Sequence, residues 1–207
     1  MRGFHTWLLG SLVLLASWAN AATMADSAEI TRVALETNKG QIVLELATEK
    51  APVTVKNFLE YVESGFYTGL VFHRVIDGFM VQGGGFTPDM SQRAVGTPIK
   101  NESLLNQRLE NRRGSIAMAR TQVVDSATSQ FFINLKDNDF LNGQPYKPGY
   151  AVFGRVVKGM EVVDTIARVK TGYRGPHGDV PVDSVVITKA YILNDGEKPV
   201  SKESKAL

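Results

Sequence analysis

From Ile30 to Leu193 the chain is cut into short β-patterned runs by turn residues, and only two stretches carry helical periodicity. That pattern limits the fold more than any other feature. Thr31, Val33 and Leu35 alternate with Arg32, Ala34 and Glu36, and Ile42, Leu44 and Leu46 alternate with Val43 and Glu45. A period of two predicts strands, and the Asn38-Lys39-Gly40 stretch between them predicts a hairpin buried on one face. Further β-rich runs are expected over 70–76, 79–82, 115–119, 130–135, 151–157 and 184–193, with turns at Asp77-Gly78, Asn142-Gly143 and Lys147-Pro148-Gly149. Pro52 suits a helix start. Val55, Phe58, Leu59 and Val62 then recur at helical spacing, and Gly65 can end the element. A second helix is predicted over 159–169, with Val162, Val163, Ile166 and Ala167 inward. Many short strands with two helices predict a mainly β domain, a closed antiparallel barrel capped by the helices, because closure removes aggregation-prone edges.

The ends read differently. Met1-Arg2, an apolar run over 7–18 and the small residues Ala19-Asn20-Ala21 follow the order of a secretory signal peptide, with cleavage expected after Ala21. A membrane anchor is the alternative, but the run falls short of the ~20 residues that span a bilayer, and no cysteine follows to carry lipid. The expected organisation is a signal over 1–21, a polar leader over 22–29, one domain over 30–193 and a polar tail over 194–207. The chain has 23 basic and 21 acidic residues, and loss of Arg2 leaves a net charge of +1. Such balance argues against a nucleic-acid partner. The absence of cysteine removes disulfides, thiol catalysis and thiolate metal sites together.

Familiar catalytic sets are missing. His5 lies in the expected signal, leaving His73 and His177, with no H-E-x-x-H cluster and no G-x-S-x-G elbow. Gly83-Gly84-Gly85 lacks the G-K-[ST] ending of a phosphate loop and reads as a tight bend. No metal or cofactor is expected. The segment Phe72-His73-Arg74-Val75-Ile76-Asp77-Gly78-Phe79-Met80-Val81-Gln82-Gly83-Gly84-Gly85-Phe86 is more informative. Across a tight turn, Arg74, Met80 and Gln82 share one face. His73 points away from them if the strand is regular, which favours a structural role. In Ser126-Ala127-Thr128-Ser129-Gln130-Phe131-Phe132-Ile133-Asn134, Gln130 and Phe132 share a face. Phe131 and Phe153 are expected in the core, and Arg112-Arg113 in a solvated loop.

On these segments, together with Gly149-Tyr150-Ala151-Val152-Phe153-Gly154, the chain resembles the cyclophilin family of peptidyl-prolyl isomerases, most closely its bacterial periplasmic branch. The resemblance spans about residues 30–193. It implies an eight-stranded antiparallel barrel with a helix at each end and a substrate groove on the outer surface. It assigns catalysis to Arg74, with Gln82 and Gln130 beside the substrate backbone, though the sequence leaves open which group Gln82 would hold. It places Phe79, Met80, Phe132 and Leu141 in a pocket for the proline ring, and Ala119, Arg120, Phe140 and Tyr150 along the groove. Phe79 and Phe132 read from sequence alone could equally be core. Arg120 stands where many eukaryotic members have Asn, Tyr150 where His is common, and Asp77 where Pro is usual. Phe140 stands where Trp is common. Phenylalanine has no indole N–H, so the resemblance implies weak binding of cyclosporin. The implied partners are proline-containing unfolded or partly folded polypeptides, acted on by a monomer in the periplasm that keeps no stable membrane association once the signal is removed.

The chemistry suits this residue set. The amide C–N bond resists rotation by ~18–20 kcal/mol, and X-Pro bonds exchange in tens to hundreds of seconds. No covalent bond breaks, so neither nucleophile nor cofactor is needed. In the twisted state the proline nitrogen regains a lone pair, and a permanent cation such as Arg74 stabilises that state selectively. A gain of five decades in rate corresponds to about 7 kcal/mol. A non-catalytic proline-peptide binding module or chaperone would use the same pocket without Arg74. An exported hydrolase would need a nucleophile–base pair, and the sequence offers none.

Overall fold

The computed structural model describes residues 30–104 and 109–193. The expected signal segment, leader and tail lie outside the described residues. The elements run β1 (Arg32–Thr37), β2 (Gly40–Leu46), α1 (Pro52–Glu63), β3 (Phe72–Ile76), β4 (Met80–Gly83), β5 (Ser115–Met118) and β6 (Phe131–Asn134). A 3-10 turn (Asp139–Leu141), β7 (Val152–Lys158), α2 (Met160–Ala167), β8 (Thr171–Arg174), β9 (His177–Pro181) and β10 (Ile187–Leu193) follow. Eight strands form one antiparallel sheet in the order β10-β1-β2-β7-β5-β6-β4-β3, and β8 and β9 form a separate ribbon.

The expected eight strands, two helices and mainly β class are therefore present, but the barrel is not closed. β3 and β10, at the two ends of the order, share no ladder. The seam is stitched where they begin, by an isolated bridge between Val71 and Val186 and a few backbone hydrogen bonds beside it. Gly69 N donates to Ile187 O at 2.8 Å, Phe72 N to Val185 O at 2.9 Å and Ile187 N to Leu70 O at 2.8 Å. The two edge strands meet only at their beginnings, and β9 lies against β3. The ribbon was not anticipated, because Gly172, Gly178 and Pro181 interrupt any strand pattern there.

One face of the sheet closes over the main core. Val33, Leu35, Ile42, Leu44, Val75, Val81, Ile116, Ile133 and Phe153 lie in it, and α1 and α2 cover it with Val55, Phe58, Val62, Val163 and Ile166. Each fully buried aliphatic or aromatic side chain of this kind contributes roughly 1.5–3 kcal/mol. Phe131 meets Phe58 edge-on at 5.8 Å, and Phe153 lies 5.1 Å from Phe58, so both occupy the core as expected. Gly65, at φ 69, follows the last turn of α1 and supplies the left-handed residue that ends it.

The first turn of α1 is capped from a distance. Its own N-cap position, Ala51, offers no side-chain acceptor. Instead Glu102, only 7 % exposed, reaches in from the long β4–β5 connection. It accepts hydrogen bonds from Val53 N at 3.1 Å, Thr54 N at 2.8 Å and the Thr54 hydroxyl at 2.6 Å. The neighbouring Asn101 and Ser103 hold the Gly149 carbonyl and amide, at 3.0 and 2.9 Å. This loop therefore ties the helix to the segment that walls the site.

Candidate active site

The opposite face of the sheet carries a second, smaller apolar cluster. Met80, Ala117, Phe132, Leu141 and Val152 are buried in it, and Ile76, Phe79, Leu109, Ala119 and Tyr150 pack around them. Strand register explains the assembly. Arg74 on β3 pairs with Gln82 on β4, Gln82 pairs with Phe132 on β6, Phe132 with Ala117 on β5 and Ala117 with Val152 on β7. Directly paired residues of an antiparallel ladder share one face. The row thus passes across five strands from a cation through an amide to an aromatic ring and a small-residue floor. Ile76, Met80 and Asn134 form the next row.

The polar end is open to solvent. The Arg74 side chain is 45 % exposed, and its Nε lies 3.8 Å from Asp179 Oδ2 on β9. Gln82 Nε2 donates to Gln130 Oε1 at 3.0 Å, joining the two amides that flank the groove. The glycine run makes room for them, since a Cβ on Gly85 would lie 2.6 Å from Gln130 Cγ. His73 departs from the regular-strand expectation. A register shift falls between Phe72 and Arg74, so His73 is a bulged residue. Its ring is buried at 5 % exposure and packs 4.7 Å from Phe86. Burial pushes the imidazole down to about 4, with nearby His177 and Arg74 adding to the effect, so it is neutral at physiological pH. The structural role expected for it stands, although by a different geometry.

The apolar end is walled by the segment after β6. Phe79 stacks on Phe140 at 5.7 Å and 25°, and Phe140 remains 68 % exposed at the rim. Leu141 closes the 3-10 turn, and its carbonyl accepts from Tyr150 N at 3.0 Å. Tyr150 meets Phe132 edge-on at 5.5 Å. Arg120 lies over the Tyr150 ring at 4.8 Å. Its Nε, NH1 and NH2 groups donate to Gly149 O, Thr121 O and Pro148 O at 3.1, 2.9 and 2.9 Å. Most of its donors therefore secure the wall. Ala119, half-buried, joins the cluster, and its amide donates to Gln130 O at 2.9 Å.

All eleven side chains expected from sequence lie on this face or along its rim. The structure adds Ala117, Val152, Ile76 and Leu109 to the slot. Parity along 115–119 would have found Ala117, since it shares the face of Ala119. The support beneath the slot was not foreseen. Asn134 Nδ2 donates to Asn111 Oδ1 at 3.1 Å and to Ser115 Oγ at 2.9 Å. Asn138 Nδ2 donates to Asn134 Oδ1 at 2.8 Å and to Phe79 O at 3.0 Å. Asn142 Oδ1 accepts from Asn111 N at 2.7 Å. This buried amide network fixes the backbone beneath Phe79 and around Leu141.

A separate cleft of about 600 Å³ opens beside β2 and β7, lined by Glu45, Leu46, Arg112, Arg113, Val152 and Arg155 among others. Most of its charges are paired. Glu45 binds Arg32 and Arg155, which hold its carboxyl below the usual range. Arg112 meets Glu110, Asp137 and Asp139, and Arg113 meets Asp164. The two arginines are thus half-exposed members of ion-pair networks, in keeping with a surface loop.

An apolar slot is thus flanked by a fixed cation and two amides on an open sheet face. The chain belongs to the cyclophilin family: residues 32–192 match the model described as cyclophilin type peptidyl-prolyl cis-trans isomerase/CLD. It is a peptidyl-prolyl cis-trans isomerase. It is 52 % identical over 186 residues to peptidyl-prolyl cis-trans isomerase A of Dickeya dadantii, covering 90 % of this chain and 97 % of that one. Its identity to peptidyl-prolyl cis-trans isomerase B of Escherichia coli is 56 % over 158 residues, 75 % of this chain and 95 % of that one. Among solved structures it is similar to a Cryptosporidium parvum cyclophilin crystallised in the presence of the dipeptide Ala-Pro. That match has a TM-score of 0.68 at 28 % identity and covers 79 % of this chain and 99 % of that one.

Proposed function

We propose that Arg74 and Gln82 carry the isomerisation and that the proline ring sits against Phe79, Met80, Phe132 and Leu141. The observation that carries this reading is the register row Arg74–Gln82–Phe132–Ala117, which sets a guanidinium within one side-chain length of an apolar slot. Ring immobilisation holds the prolyl side while the preceding carbonyl rotates. The guanidinium donates to the nitrogen lone pair, which exists only when the amide is twisted, so the interaction lowers the barrier rather than merely tightening binding. Gln82, with Gln130 bonded to it, is poised for the substrate backbone. Ala119, Arg120 and Tyr150 bound the groove for flanking residues, and Phe140 forms its rim.

The assignment is tested with Arg74→Ala on a short Xaa-Pro peptide, followed by line-shape NMR or a protease-free assay. Isomerisation should fall by about 100-fold or more, as for loss of one well-placed transition-state donor, while peptide binding stays measurable. Undiminished turnover would favour the non-catalytic binding module.

We further infer that the protein acts as a monomer on exported polypeptides in the periplasm. The support is the signal-like order of residues 1–21 and the lack of cysteine, which suits an oxidising compartment. Fractionation and N-terminal sequencing of the mature protein, expected to begin at Ala22, test it. Weak cyclosporin binding follows from Phe140 at the exposed rim, and Phe140→Trp should strengthen inhibition.

A further inference from the structure

The nearest acidic partner of Arg74 among the described residues comes from the ribbon that sequence reasoning did not foresee. Asp179 Oδ2 lies 3.8 Å from Arg74 Nε, and both side chains are about half exposed, 45 % for Arg74 and 49 % for Asp179. Asp179 sits where the β8–β9 register shifts, between the pairs Gly172–Val180 and Arg174–His177. Its φ is 58, a left-handed conformation that aspartate and asparagine tolerate better than other side chains. The ribbon bearing it is firmly seated. Val180 is buried, and the His177 ring lies 5.2 Å from Phe86. Arg174 donates to Pro88 O at 2.8 Å and to Val182 O at 2.9 Å. A carboxylate on such a support has a defined place, and the nitrogen nearest to it is Nε rather than either terminal one.

We infer that Asp179 is a positioning residue for isomerisation: it holds Arg74 by the Nε edge of the guanidinium and leaves the terminal N–H groups facing the twisting amide. The inference rests on the catalytic assignment of Arg74. Its physical basis is pre-organisation. An arginine side chain loses several rotamers on reaching one geometry, and a fixed anion beside the inner nitrogen removes part of that cost before substrate arrives. Both groups touch solvent, so the coupling is modest and screened by salt.

Asp179→Asn is the test, because asparagine keeps the shape and accepts the same backbone conformation while removing the charge. For a half-exposed pair of this kind, kcat/KM on an Xaa-Pro peptide in 10 mM salt should fall about 2- to 5-fold, with Tm unchanged. At 0.5 M salt the wild-type value should approach that of the variant, whose own value should stay flat. Added to Arg74→Ala, the substitution should have no further effect. A variant as fast as or faster than wild type at low salt would overturn the inference, as would an equal loss in the Arg74→Ala background. If Arg74→Ala loses activity while Asp179→Asn does not, only the positioning role fails. Full activity of Arg74→Ala itself would overturn both roles.

Discussion

Replacing Glu102 should destabilise the domain without touching its chemistry. The carboxylate serves Val53 N, Thr54 N and the Thr54 hydroxyl, and the helix has no local cap to substitute for it. In Glu102→Ala the exposed Val53 position can recover its bond from water, but Thr54 is fully buried, so two donors there lose a charged acceptor. Hydrogen bonds to charged groups contribute about 1.5–3 kcal/mol each, and partial rescue by entering water brings the pair to about 3 kcal/mol. Loss of a negative group at a helix N-terminus adds about 0.5 kcal/mol. For a domain of this size each kcal/mol corresponds to about 2–4 °C, so Tm should fall by about 7–14 °C. Glu102→Gln retains one acceptor oxygen toward Thr54 and should cost only about 1 kcal/mol, or about 2–4 °C. Urea and thermal unfolding of the three proteins supply the measurement, with kcat/KM at 10 °C expected within about twofold of wild type, since no substrate-facing group changes. A Glu102→Ala protein melting within 2 °C of the parent, or a Gln variant as damaged as the Ala variant, would refute the reasoning.

Three other outcomes are expected. His73 has a folded pKa of about 4 against an ordinary 6.5, because burial disfavours its charged form. The unfolded chain therefore binds the extra proton first, and stability is full above pH 6.5 and falls as pH drops toward 4, by up to about 3 kcal/mol. Urea titrations across that range should show the slope, and His73→Phe should flatten it. Gly85→Ala would put a Cβ 2.6 Å from Gln130 Cγ, and that flexible side chain can move aside. Tm should change little while kcat/KM falls about tenfold, the scale of a misplaced active-site group, and a large loss of stability with normal activity would contradict it. Asn134→Leu breaks the buried bonds to Asn111, Ser115 and Asn138 and should cost about 3 kcal/mol in denaturant unfolding, with KM raised more than kcat lowered.

Much of this protein is legible in its sequence. The period-two alternation around Val33, Leu35, Ile42 and Leu44, the helical recurrence of Val55, Phe58 and Val62, and the Asp77-Gly78 turn are local features, and local sterics and burial decide them. The same parity put Arg74, Met80 and Gln82 on one face, and the ladder between β3 and β4 agrees. What escaped depends on contacts distant along the chain. A closed barrel follows from strand count only if the end strands meet, and β3 and β10 do not pair as a ladder. The bulge at His73 displaces one residue from a pattern that reads as regular. Thr54 and Asn57 look like outward helix positions until Glu102 and the Thr128 carbonyl bury and satisfy them. The β8–β9 ribbon has neither period, so its Asp179 could not be set beside Arg74.

Sequence by itself thus determined which residues face together within each element, because a side chain's direction follows from backbone geometry a few residues either way. Tertiary structure alone decided which elements became neighbours. The order β7-β5-β6-β4-β3 brings residues up to some eighty positions apart into one transverse row, and a guanidinium stands beside a ring slot only because those strands hydrogen-bond in that register.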